Sequence, residues 1–216
     1  MALPRPLPAG GFSFTWQASV NDFHIAAKDF LSTRPLIVGA ATGALVFSKA
    51  TGEDRVLLIQ RAAHDSMPLR WEIPGGACDV EDETILHGLA RELWEETGLR
   101  MKSVTRQVGG EYTFFTRRGR PVTKLTFETE VETPVSAQGE QLLPEVTLDP
   151  NEHARFLWAT EEECRQGKVT VLGSNGEPEV VDVNFTVEDQ RKIILFGFKL
   201  RREAAEGTSE QVQPQP

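Results

Sequence analysis

Residues 75–99 read GGACDVEDETILHGLARELWEETGL, and three glutamates crowd its last turns with no lysine among them. The spacing predicts a helix from about Glu83 to Thr97, with Gly98 placed to terminate it. At about 100° per residue, Glu92, Glu95 and Glu96 share an arc of about 100°. Ile85, Leu86, Leu89, Ala90 and Leu93 fill the adjoining face, which suits packing on a sheet. The carboxylates therefore border both core and solvent. Like charges at these spacings cost a few tenths of a kcal/mol per pair. Glu95 and Glu96 also lie near the helix C-terminus, where the macrodipole disfavours anions. A bound cation would offset both penalties.

Upstream, LIVGAATGALVFSKATGEDRVLLIQRA (36–62) reads as two strands joined by a turn at KATGED. Their unbroken apolar runs predict burial on both faces. Downstream, GGEYTFFTRRGRPVTKLTFETEVE (109–132) reads as a hairpin turning at RRGR. ARFLWAT (154–160) reads as a strand, and TEEECRQG (160–167) as a short helix ending at Gly167. Residues 12–35 suggest a short strand and one helix, capped by Asn21 or Asp22, with Phe23, Ala26, Ala27 and Phe30 on one face. A C-terminal helix is expected over 186–204, with Thr186 at its N-cap and a stripe through Ile193, Leu195, Phe196 and Leu200.

These elements predict one mixed α/β domain over 12–204, with helices covering a sheet. It divides into an N-terminal extension (12–35), a core (36–165) and the C-terminal helix (186–204). The Pro- and Gly-rich residues 1–11 are expected to be a flexible lead-in, and the polar residues 205–216 a disordered tail.

The 216 residues carry a net charge of −9, which argues against a coat protein for DNA or RNA. A phosphorylated small molecule stays open, because a bound cation inverts the local field. Cys78 and Cys164 are too few for a disulfide framework and fit a reducing compartment. No apolar run approaches membrane-spanning length and no signal sequence is evident, so the cytoplasm, or the nucleus, is expected.

Clustered carboxylates are hard oxygen donors that suit Mg²⁺ or Mn²⁺ better than zinc. The string resembles the Nudix box: Gly, five residues, Glu, seven residues, Arg-Glu, an aliphatic, any residue, Glu-Glu, any residue, Gly, an aliphatic. From Glu83 through Arg91, Glu92, Glu95, Glu96, Gly98 and Leu99 the match is complete, but six residues, ACDVED, separate Gly76 from Glu83. That extra residue is expected in the loop before the helix. WEIPGG, RVLLIQR and EHARFLWATEEE are similar to flanking family segments, so the likeness spans about residues 36–165.

The resemblance implies a single α/β/α sandwich with a mixed sheet. It implies a metal-dependent hydrolase, a diphosphatase or pyrophosphatase, in which water attacks phosphorus in a nucleoside diphosphate linked to another moiety. The alternatives are a catalytically silent nucleotide-binding or regulatory module and an isomerase of the same superfamily. Glu92, Glu95 and Glu96 would bind Mg²⁺ or Mn²⁺, with a carbonyl of Gly75 or Gly76. Glu92, Glu96 or Glu152 would serve as base. Glu83 and Arg91 would orient loop and helix. Arg61 and Arg70 are candidates to reach a phosphate, against a reading as sheet-edge charges. Phe115 is a candidate to stack on a base, against a reading as core packing. His64, His87 and His153 show no zinc spacing. The partner expected is a nucleotide-type small molecule, and a homodimer through 12–35 or the C-terminal helix is compatible with the chain.

Overall fold

The computed structural model describes residues 5–173 and 175–210. Within them the apolar runs assemble an eight-stranded mixed sheet. Its strands are Thr15–Trp16 (β1), Gly39–Ser48 (β2), Arg55–Arg61 (β3), Trp71–Glu72 (β4), Met101–Gln107 (β5), Tyr112–Phe115 (β6), Pro121–Val131 (β7) and His153–Ala159 (β8). They follow the order β1-β5-β7-β2-β3-β4, with β6 also beside β7 and β8 beside β3. β2 and β7 run parallel from Gly39↔Val122 to Val46↔Thr129. β3 is antiparallel to β2, β4 and β8. A separate antiparallel ribbon joins Lys168–Leu172 (β9) to Pro178–Asp182 (β10).

Helices cover both faces. On one lie Ala27–Ser32 (α1) and Ile85–Thr97 (α2), where Ile85, Leu86, Leu89 and Leu93 pack against Ala44, Leu57, Leu125 and Phe127. On the other lie Glu161–Gln166 (α3) and Glu188–Glu210 (α4), where Ile194 and Phe198 pack with Leu45, Leu58, Trp71 and Ile73. This is the expected α/β/α sandwich, and the middle of β2 and β3 is buried as their apolar runs require.

Several local expectations change. The single N-terminal helix is two pieces, a 3-10 helix over Ala18–Phe23 and then α1. Asn21 does not cap a helix because its Oδ1 accepts from Trp16 Nε1 at 2.9 Å. Phe196, expected in the α4 stripe, is exposed, while α4 buries Ile194 and Phe198, with Ile193, Leu195 and Leu200 of that stripe packed beside them. Gly197 sets that face: a Cβ there would lie 2.9 Å from Leu45 Cδ1, so the helix approaches β2 through its glycine. α4 also runs past 204 to Glu210, and residues 211–216 of the expected tail lie outside the described residues.

Residues 1–4 of the expected flexible lead-in likewise lie outside the described residues, but Arg5 to Ala9 are tied down. Arg5 Nε donates to the Glu95 carbonyl at 3.5 Å, and its guanidinium lies 5.3 Å from the Trp94 ring centre. Trp94 Nε1 donates to the Pro6 carbonyl at 2.9 Å, and Arg100 Nη2 to that of Ala9 at 3.3 Å. The segment thus crosses the C-terminal end of α2, where exposed carbonyls favour a cation.

Candidate active site

The loop between β4 and α2 is stitched to β2. The amides of Ala44, Thr42 and Cys78 bond the carbonyls of Pro74, Gly76 and Ala40 at 2.8, 2.8 and 2.9 Å. Two glycines permit this approach. Gly75 has φ +135°, and a Cβ there would lie 2.3 Å from the Thr42 carbonyl oxygen. At Gly76 a Cβ would lie 2.5 Å from Glu92 Oε2, so the Glu92 carboxylate nests against bare backbone. The Gly76 carbonyl is committed to Thr42, while that of Gly75 accepts no backbone hydrogen bond among the described residues.

α2 begins at the N-cap Thr84, whose hydroxyl accepts from the His87 amide, and ends at left-handed Gly98. Its last turns deliver the three glutamates to different surroundings. Glu96 is 5% exposed, and its Oε2 accepts the Gly75 N–H at 2.6 Å. Burial, reinforced by Glu72 and Glu92, holds its pKa well above the carboxylate range. Burial also pushes Glu92 up to about 7, against the pull of Arg91. Glu95 is more exposed and accepts from Arg91 Nη1 at 2.9 Å, the same nitrogen that bonds Glu92 Oε1 at 2.9 Å. One arginine therefore offsets the repulsion between the outer two carboxylates, and the innermost has none.

Arg91 does more than balance charge. It donates Nε and Nη2 to Asp82 at 2.9 and 3.0 Å, and Nη2 to the Ala77 carbonyl at 2.7 Å. The loop–helix brace is thus Asp82–Arg91, with Asp82 buried. Glu83, expected in that role, is 76% exposed in its side chain and lies 3.7 Å from His87. The spacing explains the exchange: five residues separate Gly76 from Asp82, so the surplus residue falls after the brace rather than before it.

Opposite α2, the turn before β8 carries Glu152, which is exposed, and β8 opens on His153, which is 3% exposed. One ligand atom from each of Glu96, Glu152 and His153 lies within 4.8 Å of the others. His153 Nε2 is 3.7 Å from Glu96 Oε1 and 3.5 Å from Glu72 Oε1, a long approach, and Nδ1 has no hydrogen-bond partner. Arg61 is not free to reach a phosphate: Nη1 bonds Glu72 at 2.5 Å and Nε bonds Asp65 at 2.9 Å. Burial alone would raise Glu72, but His153, Lys124 and Arg61 together hold it below its usual value.

Arg70 is exposed and lines a cavity of about 440 Å³ with Lys168, Asn184 and Arg191 at the start of α4. Phe115 is 71% exposed on the hairpin opposite Pro121, outside the core. Asp82, Glu72 and Lys124 escaped the sequence reading, and His153 was weighed there only against zinc spacing. Lys124 is 8% exposed on β7, in no ion pair among the described residues, and within the field of Glu72. Its only signal was a lysine inside an apolar strand.

The donor set fits a hard divalent cation, because Glu92, Glu96 and Glu152 bring more negative charge together than the nearby cations neutralise. A family model described as NUDIX domain matches residues 39–173. A MutT-like protein of Streptomyces ambofaciens is 46% identical over 50 residues, covering 23% of this chain and 29% of that relative. Among solved structures, a C. elegans Ap4A hydrolase binary complex aligns with TM-score 0.53 and 17% identity, covering 77% of this chain and 99% of that one. The MutT protein of Methanosarcina mazei Go1 aligns with TM-score 0.50 and 23% identity, covering 76% and 94%. The NUDIX domain of Shewanella oneidensis NrtR complexed with ADP ribose aligns with TM-score 0.50 and 15% identity, covering 81% and 97%.

Proposed function

Because the chain belongs to the Nudix family, we propose that it hydrolyses the diphosphate linkage of a nucleoside diphosphate joined to another moiety, with Mg²⁺ or Mn²⁺ as cofactor. The observation that carries this reading is the convergence of Glu92, Glu96 and Glu152 beside the Gly75 backbone, with Glu96 buried and uncompensated. Ap4A and ADP ribose, named with two of the structural neighbours, are nucleotides joined to a second moiety through phosphoanhydride bonds, the kind of linkage proposed.

Glu92, Glu95, Glu96, Glu152 and the Gly75 carbonyl would hold the metal. A divalent cation bound there neutralises phosphate charge and acidifies a bound water. The protein's own part is placement. The Gly75 N–H fixes one oxygen of Glu96 and leaves the other facing Glu152 and His153. Arg91 ties Glu92 and Glu95 to the loop that carries the glycines. Glu152, exposed at the rim, would accept a proton from the attacking water. Release of the products would leave phosphate on both.

The test is a screen of purified protein, with Mg²⁺ or Mn²⁺, against dinucleoside polyphosphates, ADP-ribose, nucleotide sugars, NADH and nucleoside triphosphates in ¹⁸O-water. Cation-dependent cleavage with ¹⁸O on a phosphate of one product is expected. No turnover of any substrate, or label on carbon, would sink the proposal.

A further inference from the structure

His153 is buried beside the carboxylates with its hydrogen-bonding capacity largely unused. Its ring is 3% exposed, Nδ1 has no partner, and Nε2 has only the long approaches to Glu72 and Glu96. A buried polar group left unsatisfied costs about 1–3 kcal/mol, so such an imidazole beside a functional cluster calls for a missing ligand. The backbone aims it deliberately. Its N–H bonds the Asp149 carbonyl at 2.9 Å, and it pairs with Arg61 where the β3–β8 register shifts between Gln60 and Arg61. Such irregularities re-aim side chains next to sites.

We propose that His153 is a nitrogen ligand of the cation held by Glu96 and Glu152, and that it tilts the site toward Mn²⁺ and neighbouring transition ions over Mg²⁺. This rests on the metal-dependent reading above and adds to it a donor of a different chemical type. The groups facing the ring are Glu96, Glu152 and Glu72, the last already engaged by Arg61. Nε2 lies 3.5 Å from Glu72 Oε1, at the outer limit of a hydrogen bond that helps hold Glu72 low, but 3.7 Å from Glu96 Oε1, beyond that limit. The Glu96 separation approaches the spacing of two donors sharing one ion. Bonds of about 2.1 Å put such donors about 3.0 Å apart at a right angle and about 3.4 Å apart at a tetrahedral angle. Imidazole nitrogen favours transition ions, whereas Mg²⁺ keeps to oxygen, so one nitrogen among carboxylates changes selectivity more than total affinity.

Pulsed electron paramagnetic resonance of the full chain loaded with Mn²⁺ reads this directly. A directly bound imidazole gives ¹⁴N modulation, and ¹⁵N-histidine labelling should replace it with the ¹⁵N pattern. His153→Gln should still bind Mn²⁺ without nitrogen modulation, with Mn²⁺ affinity lowered about tenfold and Mg²⁺ affinity changed much less. A protein with His24, His64 and His87 all replaced by Gln should retain the modulation, which keeps the test decisive should His153→Gln fail to fold. Bound Mn²⁺ with no nitrogen coupling, or coupling that survives His153→Gln or is lost in the triple variant, overturns the assignment while the metal-dependent reading stands. Absence of any Mn²⁺ binding overturns both.

Discussion

Replacing Glu96 should separate folding from catalysis. In Glu96→Gln the amide oxygen still accepts the Gly75 N–H, but a buried charge is gone. Because the folded-state pKa of Glu96 is raised, its ionisation near pH 7 opposes folding. The variant is therefore expected to be more thermostable than the parent without cation, to gain little from Mg²⁺, and to lose at least about a hundredfold in turnover. Calorimetry beside a turnover assay checks this, and full turnover would remove Glu96 from the mechanism. Asp82 and Glu83 make a sharper pair. Asp82→Ala removes two of the hydrogen bonds of Arg91 and leaves its Nε unpartnered, and should destabilise by about 2 kcal/mol or more. Glu83→Gln should stay within about 0.5 kcal/mol. Urea titration of both variants tests whether the brace sits at 82. The helix glutamates were legible because a 3.6-residue period places them without knowledge of anything else. Asp82 was not, because the brace depends on how the loop from 76 to 84 bends before Thr84 caps the helix. Nor was His153, whose burial depends on strands nearly a hundred positions apart in the chain.

Elements with strong local patterns were the ones read correctly: β2, β3, the β6–β7 hairpin, α2 and α3. β5 was missed because its run, MKSVTRQ, is mixed in polarity and its pairing with β7 breaks register twice. The β9–β10 ribbon was missed for lack of any core-forming run; Val169 and Val181 are its buried anchors. The N-terminal lead-in shows composition failing in the other direction. Pro and Gly suggested mobility, yet the Trp94 indole N–H and the guanidiniums of Arg5 and Arg100 tie it across the end of α2. Deleting residues 1–11 should cost about 1–2 kcal/mol, which for this size is a fall of roughly 3–6 °C in Tm. The indole N–H resonance of Trp94 should move at the same time. An unchanged Tm and an unmoved resonance would mean that the strap does not hold in solution.

For the molecule as a whole, the carboxylate cluster makes stability depend on pH and cation together. Glu92 and Glu96 have folded-state values above their unfolded ones, so their contribution is full below about pH 4.5 and is lost as pH rises through about 7 for Glu92. Glu72 works in the opposite sense: its value is lowered, so its contribution is present above the unfolded value and lost as pH falls. Without cation, Tm should thus be highest near about pH 5 and fall by roughly 5 °C or more toward pH 7.5. Saturating Mg²⁺ should flatten that fall, since a ligand at a hundred times its Kd adds about 2.7 kcal/mol. A cation-free Tm that rises steadily from pH 5 to 7.5 would contradict the cluster's electrostatics. A mixed α/β domain was legible from the succession of strand and helix patterns, and the sandwich from the family resemblance, but the divergence of its sheet was not. β2 meets β3 only at Phe47 and Ser48, and the three amides of Thr42, Ala44 and Cys78 close the gap onto the glycine loop. Those amides form a clasp between two halves of a sheet, and clasps have opening rates. Hydrogen exchange at just these three positions would time how often the glycine loop lifts from β2, a clock for catalysis written into backbone bonds rather than side chains.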